Sequence, residues 1–401
     1  MCPTTLMASA WAADIEKFAP ELSYSLAYAN QRDEAFAMQT DVVIINTDGV
    51  KWLLQNSKLL YAFDHLVVDE ITAFKHPTSQ RTKALMKIRK HFKYRYGLTG
   101  TPNANSVTEL WSQILIIDDG ERLGLSFSKF RNSTQTPTQV GPSANHLKWT
   151  DKPGIAQAVE RLLADITIRH AFEDVMTHVP ANHRDTKHFT LNKKTKAIYD
   201  KMESAAVVAL QQRVISAVHA ASLRTKLLQI ASGAVYAGDD ENSYEVVDRQ
   251  RYELIADLVE ERDHSIVFFN CRHQRDELAR EFVKRGGVFA TIDGSTPQRE
   301  RDVIVSDYQA GRYRTLLLHP RTGAHGLTLT RGTTTIIASP IYEADLLKQA
   351  IHRVYRGDQN KVTNTILVCA TGTVEDLVYE KLFDKEARMT DLLTLINTRK
   401  A

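Results

Sequence analysis

Leu66-Val67-Val68-Asp69-Glu70-Ile71-Thr72 is the run on which the reading of this chain turns. Apolar residues stop abruptly at two adjacent carboxylates. This is how a buried parallel strand delivers acids to the carboxyl edge of an open α/β sheet, where such folds place their ligands. In a phosphoryl-transfer site the first acid of such a pair holds Mg2+ through its water shell, and the second polarises the water that attacks a phosphate. The same four letters also occur where a strand simply runs out into a solvated turn, so the meaning of the pair depends on its surroundings.

Those surroundings alternate. Asp41 to Gly49 reads as a buried strand with its exit turn, Lys51 to Phe63 as a helix or turn, and Ser79 to Lys93 as a helix. Tyr94 to Leu98 reads as a strand closing in Thr99-Gly100-Thr101-Pro102. Upstream, Trp11, Ile15 and Phe18 recur at helical spacing. Strands alternating with helices predict a parallel sheet. Between about Asp118 and Asp151 the pattern lapses into turn residues, with Ser133 to Pro142 the plainest loop. Ile155 to Ile168 and Lys193 to Ser232 are apolar at helical spacing, and Gly233 to Asp248 reads as a surface connection. From Arg249 the alternation returns. Strands are expected at Ser265–Phe269, Val288–Ile292, Arg314–Leu318, Thr333–Ala338 and Asn364–Ala370, with a helix over Glu343–Arg356 among those between them. The expected organisation is an α/β lobe over residues 1–130, a helical insertion and linker over 131–248, and a second α/β lobe over 249–401.

Composition narrows the class of protein. Hydrophobic content of 43% and charged content of 25% are ordinary for a soluble globular chain. No apolar run reaches the length of a membrane span and no signal peptide is evident, so no membrane partner and a cytoplasmic location are expected. Cys2, Cys271 and Cys369 lie far apart with no CxxC pair, which suggests neither a zinc site nor a disulfide framework. A net charge of +3 permits a polyanionic partner without demanding one.

The most specific string is Lys348-Gln349-Ala350-Ile351-His352-Arg353-Val354-Tyr355-Arg356-Gly357-Asp358-Gln359. On a helix, Gln349, Arg353 and Arg356 would share one face, projecting an amide and two guanidiniums whose forks suit phosphate oxygens. A second basic stretch, Lys83 to Arg95, reads either as a solvated face or as a surface for nucleic acid.

Taken in order, Cys2-Pro3-Thr4, Asp69-Glu70, Leu98-Thr99-Gly100-Thr101-Pro102, Gly326-Leu327-Thr328-Leu329 and the Gln349 to Gln359 string resemble motifs Ia, II, III, V and VI of superfamily 2 helicases. More narrowly they resemble the SNF2-like branch, in the compact form of its bacterial and phage-type members. The resemblance implies two RecA-like lobes separated by a helical insertion, with ATP and Mg2+ in the cleft and duplex DNA gripped through its backbone. It implies ATP hydrolysis that drives translocation on, or remodelling of, that DNA, in a bacterial or phage-infected cell. Asp69 would take the Mg2+ role, through water, and Glu70 that of general base. Arg353 and Arg356 would reach the γ-phosphate as the lobes close, with Gln349 and Gly326 beside the nucleotide. Pro3, Thr4, Thr47, Thr99, Thr101 and Thr328 would contact the phosphates of the bound strand.

Two departures stand out. Thr72 occupies the fourth position of motif II, where the family has His or Asp, and no GxxxxGK[ST] phosphate loop occurs in the 401 residues. The first lobe is therefore expected to be incomplete, with an unpaired strand edge and an uncovered apolar face. The sequence would be a truncated form of a longer ATPase, a protein whose phosphate loop comes from a separate polypeptide, or a catalytically inactive DNA-binding scaffold. An RNA helicase is the remaining alternative.

Overall fold

Fourteen strands, β1 to β14, are found among the described residues of the computed structural model, which are 1–100, 102, 106–139, 147–168, 170, 172–211, 217–236, 243–323 and 327–383. The fold is α/β, and the chain divides into two units, Met1–Ala171 and Phe172–Asp384.

In the first unit β1 (Tyr24–Ala27) pairs in parallel with β2 (Val42–Ile45), and β3 (His65–Asp69) in parallel with β4 (Tyr94–Leu98). Met1 and Cys2 join these two pairs. Cys2 N donates to Ile45 O at 3.1 Å, and its carbonyl accepts from Thr47 N at 3.1 Å. Met1 N donates to Val67 O at 2.7 Å, and the Met1 carbonyl accepts from Asp69 N at 2.8 Å. All these segments therefore run the same way and end at one edge. Below them, Leu53, Leu60, Leu66, Val68, Phe74, Leu85 and Ile88 form the core. The helix Gln80–Ile88 starts where the Ser79 side chain accepts from Thr82 N, a capping bond that supplies one of the four amides a helix start leaves open. No described strand pairs with the outer edge of β4. Its Tyr94, Tyr96 and Leu98 are 42%, 48% and 46% exposed.

Residues 118–139 and 147–151 hold more regular structure than their composition suggested. A helix, Phe127–Thr134, leads into an antiparallel hairpin of β5 (Gln135–Gln139) and β6 (Leu147–Asp151), where a loop was expected. The hairpin has no apolar alternation to announce it. A polar knot holds it instead: the Asp151 carboxylate accepts from Ser106 Oγ at 2.8 Å, Val107 N at 3.0 Å and Gln135 Nε2 at 2.8 Å. The Arg131 guanidinium lies 4.2 Å from the Trp149 ring centroid.

The second unit begins with β7 (Asn182–Phe189) and the antiparallel pair β8 (Ala234–Tyr236) and β9 (Tyr244–Val246). Then come β10 (Ser265–Phe268), β11 (Phe289–Ile292), β12 (Thr315–Leu318), β13 (Thr334–Ile337) and β14 (Thr363–Ala370). Six of these make one parallel sheet in the order β11-β12-β10-β13-β14-β7. Ile266, Phe268, Leu316, Leu318 and Ile337 line one face, and Val267, Leu317, Ile336 and Val368 the other. A sheet covered on both faces needs such continuous apolar strands. The division at Ala171 and Phe172 differs from the 131–248 insertion read from the sequence because β7 lies inside that stretch. β7 is polar along its length and pairs with β14 over eight residues, so its pairing and not its pattern makes it a strand.

Two buried polar groups fix this unit. Arg251, 1% exposed, donates from Nη2 to both oxygens of Glu375 at 2.7 Å and to Ala231 O at 3.0 Å, and from Nη1 to Ala338 O. Its guanidinium carbon lies 4.9 Å from the Phe189 ring centroid. The pair thus ties the helix Gln250–Glu260 to the sheet and to the helix over 374–383. His273 is buried with Nε2 2.9 Å from Ser232 Oγ and Nδ1 3.1 Å from Tyr236 OH. Burial, reinforced by the Arg251 charge, pushes its pKa down to about 3.

Glu375→Gln keeps the shape and leaves the Arg251 charge uncompensated; it should destabilise the fold by about 3–5 kcal/mol in urea unfolding. His273 is neutral in the fold, while the unfolded chain takes a proton at this position below about pH 6.5. The unfolded state then binds more protons, so this group's contribution is lost as pH falls through the window from about 6.5 towards 3. Between pH 7 and pH 5 it should amount to about 2 kcal/mol, absent from the corresponding difference for His273→Gln.

Candidate functional site

At the carboxyl edge of the first sheet, β3 ends on Asp69. Its Oδ1 accepts from Glu70 N at 3.0 Å and its Oδ2 from Trp11 Nε1 at 2.9 Å. Each oxygen keeps lone-pair capacity for a further donor. Glu70 turns sharply, with φ 52° and ψ 54°, in the left-handed region that L residues enter at a penalty of roughly 1–2 kcal/mol. The short turn Ile71–Phe74 that follows holds it there, with Ile71 and Phe74 buried. Phe74 O accepts from Ser112 Oγ at 2.7 Å and Thr82 Oγ1 at 3.2 Å. Gly97 makes room for this turn: a Cβ at that position would stand 2.5 Å from Ile71 Cδ1.

The other candidates of this unit follow from the parallel run of the strands. Thr47 is buried just past β2, Pro3 and Thr4 turn away after Cys2, and Thr99 follows β4, all at the edge that carries Asp69 and Glu70. Thr101 lies outside the described residues.

In the second unit the helix expected over Glu343–Arg356 is Ala344–Ile351, so Arg353 and Arg356 sit in the turns beyond it and not on one helical face. Gln359 accounts for the departure. Its buried amide donates to Thr330 O at 2.9 Å, Gly332 O at 3.0 Å and Val354 O at 3.2 Å, drawing the chain back against the preceding loop. Both arginines still converge. Arg353 donates from Nε to Gln349 O at 3.0 Å and from Nη1 to Leu327 O at 3.3 Å. Arg356 Nη1 donates to the same Leu327 O at 3.4 Å and to Thr328 Oγ1 at 3.1 Å. Phe172 packs on His352 and Tyr355, with centroids 5.1 Å and 4.9 Å apart, and His178 Nε2 lies 2.9 Å from Gly357 O. Gln349 Oε1 is buried with no hydrogen-bond partner, an acceptor without a donor beside the two guanidiniums. Gly326 lies outside the described residues.

Sequence reasoning missed a third feature. At the carboxyl ends of β10, β11 and β12 an open cavity of about 1070 Å³ is lined by Lys226, Arg272, Arg275, Asp293, His319 and Arg321, among others. The helix Arg272–Lys284 starts in it, adding the partial positive charge of a helix N-terminus to the four cations. Burial alone would raise the Asp293 pKa, but bonds from Ser295 and Arg275 hold it down at about 2. Burial and the Arg321 charge lower that of His319. The cavity is thus basic overall and suited to an anion. The signal in the sequence was Cys271-Arg272-His273-Gln274-Arg275 directly after a predicted strand.

What these groups could hold divides unevenly. Asp69, with spare lone pairs and no basic side chain bonded to it in the hydrogen bonds above, fits a cation reached through water. The arginine pair and the orphaned Gln349 oxygen fit the polar tail of a nucleotide and its water. No GxxxxGK[ST] string, the usual cradle of β- and γ-phosphates, occurs in the 401 residues.

Comparison with known proteins gives a consistent picture. The SNF2-related domain matches residues 1–232 and the helicase conserved C-terminal domain residues 250–358. Putative protein p41 of Acyrthosiphon pisum secondary endosymbiont phage 1 is 27% identical over 372 residues, spanning 90% of this chain and 78% of its own length. The putative ATP-dependent helicase/translocase YwqA of Bacillus subtilis is 22% identical, over 96% of this chain and 42% of its own. Mouse chromodomain-helicase-DNA-binding protein 1-like is 24% identical, over 96% and 43%. The chain thus spans less than half the length of the bacterial and mouse relatives. Among solved structures, the Sulfolobus solfataricus SWI2/SNF2 ATPase core in complex with dsDNA aligns over 98% of this chain and 81% of its own, with 20% identity and a TM-score of 0.43.

Proposed function

Since the chain belongs to the SNF2-related family of helicase-type proteins, we propose that it works as a DNA-dependent ATPase that translocates on or remodels duplex DNA. Asp69 holds Mg2+ through water and Glu70 takes the proton of the attacking water. Arg353 and Arg356 stabilise the charge that grows on the γ-phosphate, with Gln349 and Gly326 beside the nucleotide. When bound, Mg2+ supplies charge neutralisation on the phosphates. Pro3, Thr4, Thr47, Thr99, Thr101 and Thr328 hold the phosphates of one strand.

The observation that carries this reading is the shared carboxyl edge of β2, the Met1–Cys2 link, β3 and β4, where acids and hydroxyl-bearing turns stand side by side. The basic cavity of the second unit supports a polyanionic backbone as partner. Its Lys226 and Arg272 join the proposed phosphate contacts. A phosphate loop from outside these 401 residues, in the same polypeptide or a separate one, belongs to the proposal. The open edge of β4 favours a strand docking there. The lack of a GxxxxGK[ST] favours a second reading, a DNA-binding scaffold without turnover.

ATP hydrolysis measured with and without duplex DNA, with the phosphate-loop segment present, separates the two. Turnover stimulated by DNA and reduced roughly 100-fold or more in Glu70→Gln is expected for the motor. DNA binding with no turnover in the unmutated protein would instead establish the scaffold, and preferential competition by duplex RNA would move the substrate to RNA. Lys226→Ala and Arg272→Ala should each weaken DNA binding uniformly across sequences and lower the salt slope of binding by about one.

A further inference from the structure

We propose that His188, Cys369 and Asp376 form a binding site for a single divalent transition-metal ion of the zinc class. The site shares no residue with the arginine pair or with the lining of the basic cavity. β7 and β14 set His188 and Cys369 in register, side by side on neighbouring strands. Asp376 comes from the helix over 374–383 that follows β14. One ligand atom from each lies within 4.8 Å of the others, and among the described residues this is the one such group.

The geometry is close to what an ion requires. Cys369 Sγ and Asp376 Oδ1 are 3.2 Å apart, and sulfur and oxygen donors on a tetrahedral zinc stand about 3.5 Å from each other. The Asp376 carboxylate is held by its other oxygen, which accepts from Gly372 N at 2.8 Å and Thr373 N at 3.3 Å. Oδ1 is thereby left turned to the sulfur. Thr371 Oγ1 lies 3.4 Å from His188 Nδ1, the type of outer partner that orients a metal-bound imidazole. Cys369 is buried and His188 exposed, so the cluster is anchored on one side and open to entry on the other.

Donor chemistry selects the ion. Sulfur, imidazole nitrogen and one carboxylate oxygen suit Zn2+ or Co2+, whereas Mg2+ and Ca2+ demand oxygen. Binding forms the metal–sulfur bond, breaks the S–H bond and releases that proton to solvent. The thiolate and the Asp376 carboxylate then balance the two charges of the ion, and water fills the fourth position. The ion would fasten β7, a polar edge strand, to β14 and the helix behind it.

The test uses the whole chain, stripped with chelator and titrated with Co2+ and Zn2+. One ion per chain is expected, with a near-ultraviolet thiolate-to-cobalt absorption and a Zn2+-dependent rise in Tm. Both should persist in Cys2→Ser/Cys271→Ser, and the absorption should vanish in Cys369→Ser. His188→Asn alters an exposed side chain, so its fold should survive while affinity falls by at least about tenfold. The proposal is overturned by the absence of stoichiometric binding, by an absorption that follows Cys2 or Cys271, or by unchanged affinity in His188→Asn. Mg2+ at equal concentration should neither bind nor displace Co2+; displacement would also overturn it.

Discussion

A strand buried on both faces can offer a reactive side chain only where it stops. β10, β12 and β13 are wholly buried, so all their chemistry is pushed to the loops at their ends. Parallel pairing gathers those ends on one side, and each sheet then has a single edge at which polar groups can meet a ligand. In the first unit that edge carries Asp69, Glu70, Thr47 and Thr99. In the second, the basic cavity opens at the ends of β10, β11 and β12, on one side of the sheet order. Residues distant in sequence become neighbours for this reason alone.

The loops beyond the strands also hold the two arginines in place: both donate to the Leu327 carbonyl, which helps orient their guanidiniums. A structural ion pair looks different. Arg251 is enclosed and matched to Glu375, so its charge is consumed in holding the sheet to its helices. Gln359 belongs with the structural groups: its amide satisfies three carbonyls and fixes the turn that carries Arg356. A string that reads as one motif therefore splits into the two arginines that converge on Leu327 and a glutamine that shapes the turn.

How much of this was legible depended on which force makes each element. β3, β10, β12, β13 and β14 are apolar runs with turn residues behind them, and hydrophobic burial writes itself into such runs. β7 and the β5–β6 hairpin are polar. Partners on other segments hold them, β14 in one case and the Asp151 knot in the other, and no local window contains that information. For the same reason the basic cavity was not readable, since its cations come from three separated segments. The His188, Cys369 and Asp376 group spans nearly the whole second unit, so cysteine spacing gave no hint of it. The end of the helix at Ile351 was missed because the periodicity of Gln349, Arg353 and Arg356 is helical, and the pull of Gln359 on distant carbonyls is not a periodic signal.

Glu70 shows which side of such a contest wins. An L residue at φ 52° gives up roughly 1–2 kcal/mol relative to ordinary backbone. Burying Ile71 and Phe74 gains about 1.5–3 kcal/mol each. The core therefore outweighs the strain, and the turn is set by the two apolar residues behind the glutamate and not by any preference of its own. Gly97 is the complement on the neighbouring strand, since a Cβ there would stand 2.5 Å from Ile71 Cδ1 and force that side chain to shift. The direction in which the carboxylate leaves the sheet is thus decided by hydrophobic packing between two strands.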